Sequence, residues 1–449
     1  MKKIVLMTLM LGMIINFKAA IDYNGTPINR SGGITITPQT SPAILASYTQ
    51  AFNMYGLLDE TFGQRGIVNT PGAGAGSAYA AVLQPDEKII AVGYNGTTFE
   101  LIRYNSNGSI DTSFNGGNPV VGANTTRYAH AALLQPDGKI VAVGVSSVGT
   151  GERSCLVRYN SDGSIDTSFN AGNPVIGANT TSIANAVLLQ PDGKIVTAGH
   201  NSAGTGFCLA RYNSDGSVDT TFNGGTPVIG AGTTLYAHAA LLQPDGKIVA
   251  VGVSSVAAGS RFCLARYNSD GSIDTSFNGG NPVIGANSTG NAYAALLQPD
   301  GKIVAVGNST GDLNPFKLAR YNSDGSVDTT FNGGTPVVGP NTTGTIHGVL
   351  LQPNGKIVAV GSNNTGNRFC LTRYNSNGSI DTTFGPDNTN VVITTGTTYR
   401  AYAALLQPDG KIVAVGTNGT GTYDFVLIRY VNPFTLASFT ASYGNVGMM

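Results

Sequence analysis

One phrase recurs seven times along this chain, and nothing else in the sequence narrows the possible folds as far. A run of small residues leads into Leu-Gln-Pro-Asp-Gly-Lys-Ile-Val-Ala-Val-Gly; after a variable stretch comes Phe-Cys-Leu-Ala-Arg-Tyr-Asn-Ser-Asp-Gly-Ser-Ile-Asp-Thr-Ser-Phe. The marker glutamines are Gln84, Gln135, Gln190, Gln243, Gln298, Gln352 and Gln407, so successive copies lie 51 to 55 residues apart. A period of that length means an array of supersecondary units, each too small to bury its own apolar face.

Each copy contains two turns with the same grammar. In Pro244-Asp245-Gly246, proline presets φ for the first central position of a type I turn, aspartate suits the second, and glycine takes the left-handed residue that follows. Ser269-Asp270-Gly271 repeats this arrangement. A three-residue loop there pairs Asn268 with Ser272 and Tyr267 with Ile273, and sets Arg266 opposite Asp274. The same pairing predicts Arg103 with Asp111, Arg158 with Asp166, Arg211 with Asp219, Arg320 with Asp328, and Arg373 with Asp381, as structural cross-strand ion pairs. Two hairpins imply four strands: the alanine-rich run, Lys-Ile-Val-Ala-Val, Phe-x-Leu-x-Arg-Tyr, and a fourth running from Ser-Ile-Asp onward to include Pro-Val-Ile-Gly. Four short antiparallel strands per fifty-odd residues make a propeller blade. The expected fold is therefore all-β, a seven-bladed β-propeller of four-stranded antiparallel blades.

Small residues stand four and six places before the glutamines, as in Ala239 and Ala237, with Ile346 the one exception, and are expected on one crowded face of the innermost strand. The residue between them then points the other way. Tyr79, His130, Asn185, His238, Tyr293, His347 and Tyr402 hold that register, forming a candidate ligand-binding ring at one level of the channel or, equally, a set of polar side chains that only line it. Histidine in alternate blades suggests a metal or anion site, but no carboxylate shares the register, so no metal and no cofactor are assigned. His200 stands alone in a variable stretch and is expected at the surface.

Residues 1–20 read as a signal peptide, with Lys2 and Lys3 before an apolar run from Ile4 to Ile15 that is too short to span a bilayer. The protein is therefore expected to be exported, to the periplasm, outer surface or extracellular space, with no membrane span after cleavage. Residues 21–55 form a polar leader, 56–430 the propeller and 431–449 a tail. Gly56-Leu57-Leu58-Asp59-Glu60-Thr61-Phe62 matches Gly271 to Phe277, while Phe425 to Tyr430 is a third strand that stops short. The N-terminal strand is expected to complete the last blade and close the ring, leaving no open edge. The rival arrangement takes the closing strand from residues 431–443.

Local departures carry their own expectations. Glu87 replaces the turn glycine and must occupy the left-handed region at a cost of roughly 1 kcal/mol. Cys155, Cys208, Cys263 and Cys370 share one repeat position. Neighbouring copies are then separated by about one sheet spacing, roughly 10 Å, too far for a disulfide. They read as free thiols filling apolar space, at a site that Glu100 and Lys317 suggest can reach water.

Charged residues make up only 11% of the chain and the formal net charge is zero, against about 25% charged in typical domains. Without a basic stripe, nucleic acid is not a partner. No catalytic residue can be named, because no nucleophile elbow, phosphate loop, CxxC pair or HExxH motif occurs.

The repeated phrase resembles the delta-60 repeat, a bacterial β-propeller family of unknown function found in exported and surface proteins, from about Gly56 to Tyr430. The resemblance implies a propeller and export, and brings no catalytic residues. The expectation is a monomeric, non-enzymatic scaffold that binds a protein or glycan at the cell envelope through loops on one face, such as Val145 to Arg153 and Asn308 to Pro315. The alternatives are a carbohydrate-active hydrolase or lyase with its site at the channel mouth, and a purely structural envelope component.

Overall fold

The computed structural model describes residues 57–431, apart from segments 71–75, 124–125, 149–150, 178–181, 202–204, 231–233, 257–258, 309–315, 341–342, 364–367, 386–389, 395–398 and 419–423. The expected signal peptide (1–20) and leader (21–55), residue 56, the chain after 431 and the centres of most variable loops lie outside these residues. Among the described residues no helix is long and apolar enough to cross a membrane.

Seven four-stranded antiparallel sheets follow one another. The fourth blade runs Thr234–Leu242, Ile248–Val256, Gly259–Tyr267 and Val283–Thr289, and the other six repeat it. Both expected turns form. Gln243 N–H donates to Lys247 O at 2.9 Å and Asn268 N–H to Ser272 O at 2.8 Å, while Tyr267 bridges Ile273. Glu87 sits at φ 63°, the left-handed conformation its position demands. The fourth strand is shorter than expected in most blades. Ser-Ile-Asp makes only an isolated bridge, a 3₁₀ turn follows, and pairing resumes over two residues such as Val175–Ile176. The turn lifts the chain off the sheet edge so that it can reach the next blade, leaving little open edge.

Ring closure follows the expected route. Ile67–Thr70 pairs antiparallel with Phe425–Tyr430 in the register Ile67 to Ile428 and Thr70 to Phe425, and Leu58 bridges Tyr430. The last blade is thus made from both ends of the described chain.

Apolar residues divide into seven clusters, one at each seam between blades. At one seam Val249, Val251, Phe262 and Leu264 meet Ala292, Ile303, Ala305 and Tyr321 of the next blade. Alternation along a strand sends successive side chains to opposite seams, so Ile248, Ala250 and Cys263 pack in the preceding one. All four cysteines are free and buried. Glu100 and Lys317 at the same register are buried as well, so this position does not reach water. It lies inside a seam rather than at a rim.

Among the described residues, six of the seven seams are also held by a polar staple. Arg266 donates from Nε to Asp274 Oδ2 at 2.6 Å, from Nη1 to Gln243 Oε1 at 3.2 Å and from Nη2 to Ser276 Oγ at 3.0 Å. Its Nη1 also donates to the Ser323 carbonyl of the next blade, and its guanidinium lies 4.6 Å from the Phe277 ring centroid. Lys247 adds a second cation 3.2 Å from Asp274. All six expected arginine–aspartate pairs form. The lysine, and in five blades the marker glutamine, add to a network that satisfies a charge otherwise too costly to bury.

Candidate functional site

The two small-residue positions of the innermost strand do not share a face, contrary to the alternation expected from the sequence. In the fourth blade Ala237 pairs with Gly252 and Ala239 with Val251, leaving His238 as the extra residue of a β-bulge. The bulge reverses the parity of the strand. Ala237 turns to the preceding seam and Ala239 to the following one, and the residue between them is pushed out of the sheet. The same shift occurs between Ala78 and Ala80, Ala129 and Ala131, Ala184 and Ala186, Ala292 and Ala294, Ile346 and Gly348, and Ala401 and Ala403.

The glycine ending Val-Ala-Val-Gly is what admits the bulge. A Cβ on Gly252 would stand 1.9 Å from Tyr236 O, and one on Gly144 1.8 Å from Tyr128 O. No side chain can occupy that place. Glycine inside a strand marks a close backbone approach, and here it stands beside the candidate register.

All seven residues of the expected ring come together. Tyr79, His130, Asn185, His238, Tyr293, His347 and Tyr402 line one cavity of about 430 Å³, floored by alanines such as Ala131, Ala239 and Ala294. The rings form a collar. Tyr79 lies 5.7 Å from His130 and 5.1 Å from Tyr402; His238, Tyr293, His347 and Tyr402 follow one another at 5.1, 5.3 and 5.1 Å. Asn185 fills the remaining gap and donates to Ala237 O of the next blade at 2.9 Å.

His200 is half-buried beside the collar rather than at the outer surface, its Nδ1 3.4 Å from Asn185 Nδ2. It is the last residue but one of the second strand of its blade, Ile195–Asn201, with its ring 4.6 Å from Tyr236, which lies 6.2 Å from His238. Tyr94, Tyr128 and His130 make the corresponding group two blades away, at 4.4 and 6.0 Å. Sequence reading missed His200 because its ring partner is supplied by the neighbouring blade. These contacts lie on the side where second strands turn into third strands, whereas the other residues lining the cavity, such as Ala239, Ala240 and Ala295, follow the collar positions towards the Pro-Asp-Gly turns. The opposite face carries the nearly invariant Pro-Asp-Gly and Asn-Ser-Asp-Gly turns.

The collar is neutral. Burial pulls His238 down to about 4, helped by His200, His347 and His130, and pulls His347 down to about 4, helped by Arg400. Burial likewise lowers His130, and burial with the nearby His130 lowers His200 to about 4. Tyr79 is pushed up to about 12 by burial and by Tyr402. Among the described residues no group of three His, Cys, Asp or Glu is placed to hold a metal ion. No carboxylate lines the cavity. Such a wall offers planar rings, neutral hydrogen-bonding groups and unprotonated imidazoles.

Residues 84–114, 135–169, 190–222, 243–277, 298–331, 352–384 and 407–430 match the family described as "Domain of unknown function (DUF5122) beta-propeller". No curated protein matches the sequence. Among solved structures, virginiamycin B lyase from Staphylococcus aureus is similar with a TM-score of 0.53 at 11% identity, covering 82% of this chain and 98% of that one. Sqt1 from Chaetomium thermophilum, bound to the N-terminus of ribosomal protein L10, gives 0.48 at 12% identity, covering 81% and 100%. At these identities the likeness is one of fold.

Proposed function

This chain belongs to the DUF5122 β-propeller family, and from that premise we propose that it is an exported, non-enzymatic propeller that binds a protein or glycan of the cell envelope through the loops of one face, where second strands turn into third strands. One observation carries this reading: the scaffold repeats while that face does not. Two residues before the collar position the seven blades present Ser77, Tyr128, Ile183, Tyr236, Asn291, Thr345 and Arg400. The staples, seams and turns of the other face are nearly the same in every blade. Variation confined to one end of a rigid frame is where recognition is expected.

The test is binding of the purified chain to bacterial cells, isolated envelope and immobilised glycans. Replacing the segments between second and third strands with Gly-Ser linkers removes binding without lowering the unfolding temperature. Unchanged binding contradicts the reading. The neutral imidazoles, able to take up a proton, favour the rival reading of a carbohydrate-active lyase or hydrolase. A product screen on the wild type and a His130→Ala/His238→Ala/His347→Ala variant separates the two, since only an enzyme gives turnover that the variant loses. Fractionation of the producing cells tests export: the reading requires the processed chain outside the cytoplasm.

A further inference from the structure

The collar's geometry points to one class of ligand, and we propose that it holds a glycan chain running along the propeller axis, with sugar rings against the arc His238, Tyr293, His347 and Tyr402. This rests on the binding-propeller reading above and narrows its ligand. Consecutive rings of the arc are inclined to one another by 48°, 47° and 50°. One seventh of a turn is about 51°. Planes related by rotation about an axis differ by the full rotation only when they stand parallel to that axis. The four rings are therefore one orientation carried round the propeller, each upright in the channel wall.

Spacing sets the width. Seven points separated by the observed 5.1 to 5.3 Å lie on a circle of radius roughly 6 Å, in the seven-blade geometry. A flat group stacked at van der Waals distance, roughly 3.5–4 Å from a ring, fits between wall and axis. The opening admits one chain about a sugar ring thick. A chain lying along the axis sets its apolar C–H faces parallel to upright aromatic rings, the arrangement in which they stack.

Hydrogen bonding favours a hydroxyl-rich ligand over an apolar peptide side chain. His130 Nδ1 and Asn291 Oδ1 are buried without a protein partner. Asn291 Nδ2 is already committed to Tyr293 Oη at 3.0 Å, so what remains at Asn291 is an acceptor. Of the two residues His130 lines the cavity, where an apolar occupant leaves its Nδ1 unsatisfied and a sugar hydroxyl can donate to it. The collar has no carboxylate to require a cationic ligand, and its histidines are neutral, so ring faces and neutral polar edges dominate recognition.

Isothermal titration calorimetry of the full chain with cellohexaose, chitohexaose and xylohexaose tests the proposal. At least one of the three binds, a Tyr293→Ala/Tyr402→Ala variant weakens it roughly tenfold or more, and the corresponding double Phe variant stays within about threefold of wild type. Saturation-transfer NMR on the wild type, which needs no variant to fold, shows magnetisation passing from aromatic protons to the same sugar. Binding by none of the three, or full binding by the double Ala variant with its unfolding temperature unchanged, overturns the proposal. If the chain binds cells through its loops but none of these sugars, the glycan assignment fails and the binding propeller stands. If it binds no cell, envelope or glycan, both fail.

Discussion

Arg429 and Asp59, 370 positions apart in sequence, form a buried ion pair in the place that Arg266 and Asp274 hold within one hairpin, with Arg429 Nε 2.9 Å from Asp59 Oδ2 but without the hydrogen-bond alignment of Arg266 on Asp274. Arg429 also donates to Ser106 O of the first blade, and its guanidinium lies 4.5 Å from the Phe62 ring centroid. Lys411 reaches Asp59 at 3.2 Å, as Lys247 reaches Asp274. The seventh blade, assembled from two distant segments, thus reproduces the staple of the covalently continuous blades.

Removing either member of that pair leaves the other charge buried. Asp59→Ala and Arg429→Ala are each expected to cost about 3–5 kcal/mol, as is Arg266→Ala. Urea unfolding measures all three. A cost near zero at Asp59 with a large one at Arg266 would show that the seventh blade is not shut in this way.

Gly252→Ala forces a methyl group to within 1.9 Å of Tyr236 O. The bulge must open, and a loss of about 3 kcal/mol or more, with a disturbed collar, is expected. Gly348→Ala is the contrast: its Cβ meets nothing closer than 3.4 Å, and alanine holds that register in the other six blades. It is expected to be neutral or stabilising by about 0.4–1 kcal/mol. Thermal unfolding of both variants decides.

Acid should destabilise the protein in two stages. His238 and His347 have folded values near 4 against an ordinary 6.5, so below pH 6.5 the unfolded chain takes up protons first. Their effect is absent above pH 6.5, grows as pH falls towards 4 and then levels, at about 1–2 kcal/mol per histidine after screening by channel water. The second stage belongs to the staple. Burial alone would raise Asp274, but hydrogen bonds from Ser276 with Arg266 and Lys247 outweigh it and hold the carboxyl well below its usual range. Stability present above pH 3.8 is then lost as the pH falls further. Unfolding free energy against pH, for wild type and His238→Gln/His347→Gln, should show the first stage reduced and the second unchanged.

The four thiols should be inert in the folded state. Burial pushes Cys155 and Cys263 up to about 12, so at pH 8 a disulfide reagent reacts only after unfolding. Four thiols titrating in urea and none within minutes under native conditions is the expected result.

Period, turn chemistry and the two partial ends were enough to read the propeller, the arginine–aspartate pairs and the closing strand, because each depends on contacts within one repeat or on complementary fragments. The collar residues were legible as a register, but their direction was not. Ala-x-Ala reads as plain alternation unless the glycine opposite is recognised as making room for a bulge. What crosses a seam was hidden altogether. His200 finds Tyr236, and Arg266 finds Ser323 O, only once blades are stacked. Glu100 and Lys317 misled for the same reason, since a charged residue type says little about burial inside a repeat interface.

The closed ring is tested most directly by crosslinking its last pair of strands. Asn69 and Val426 are Cα partners, and Val426 holds the register that cysteine occupies in four other blades, so Asn69→Cys/Val426→Cys should be accommodated. Refolding from urea at pH 8 under a glutathione redox couple, which leaves the thiols reactive until the ring has closed, followed by peptide mass spectrometry is predicted to find an intrachain disulfide joining positions 69 and 426 in nearly all molecules. Two free thiols at those positions, in a chain whose native unfolding transition is intact, would contradict the account.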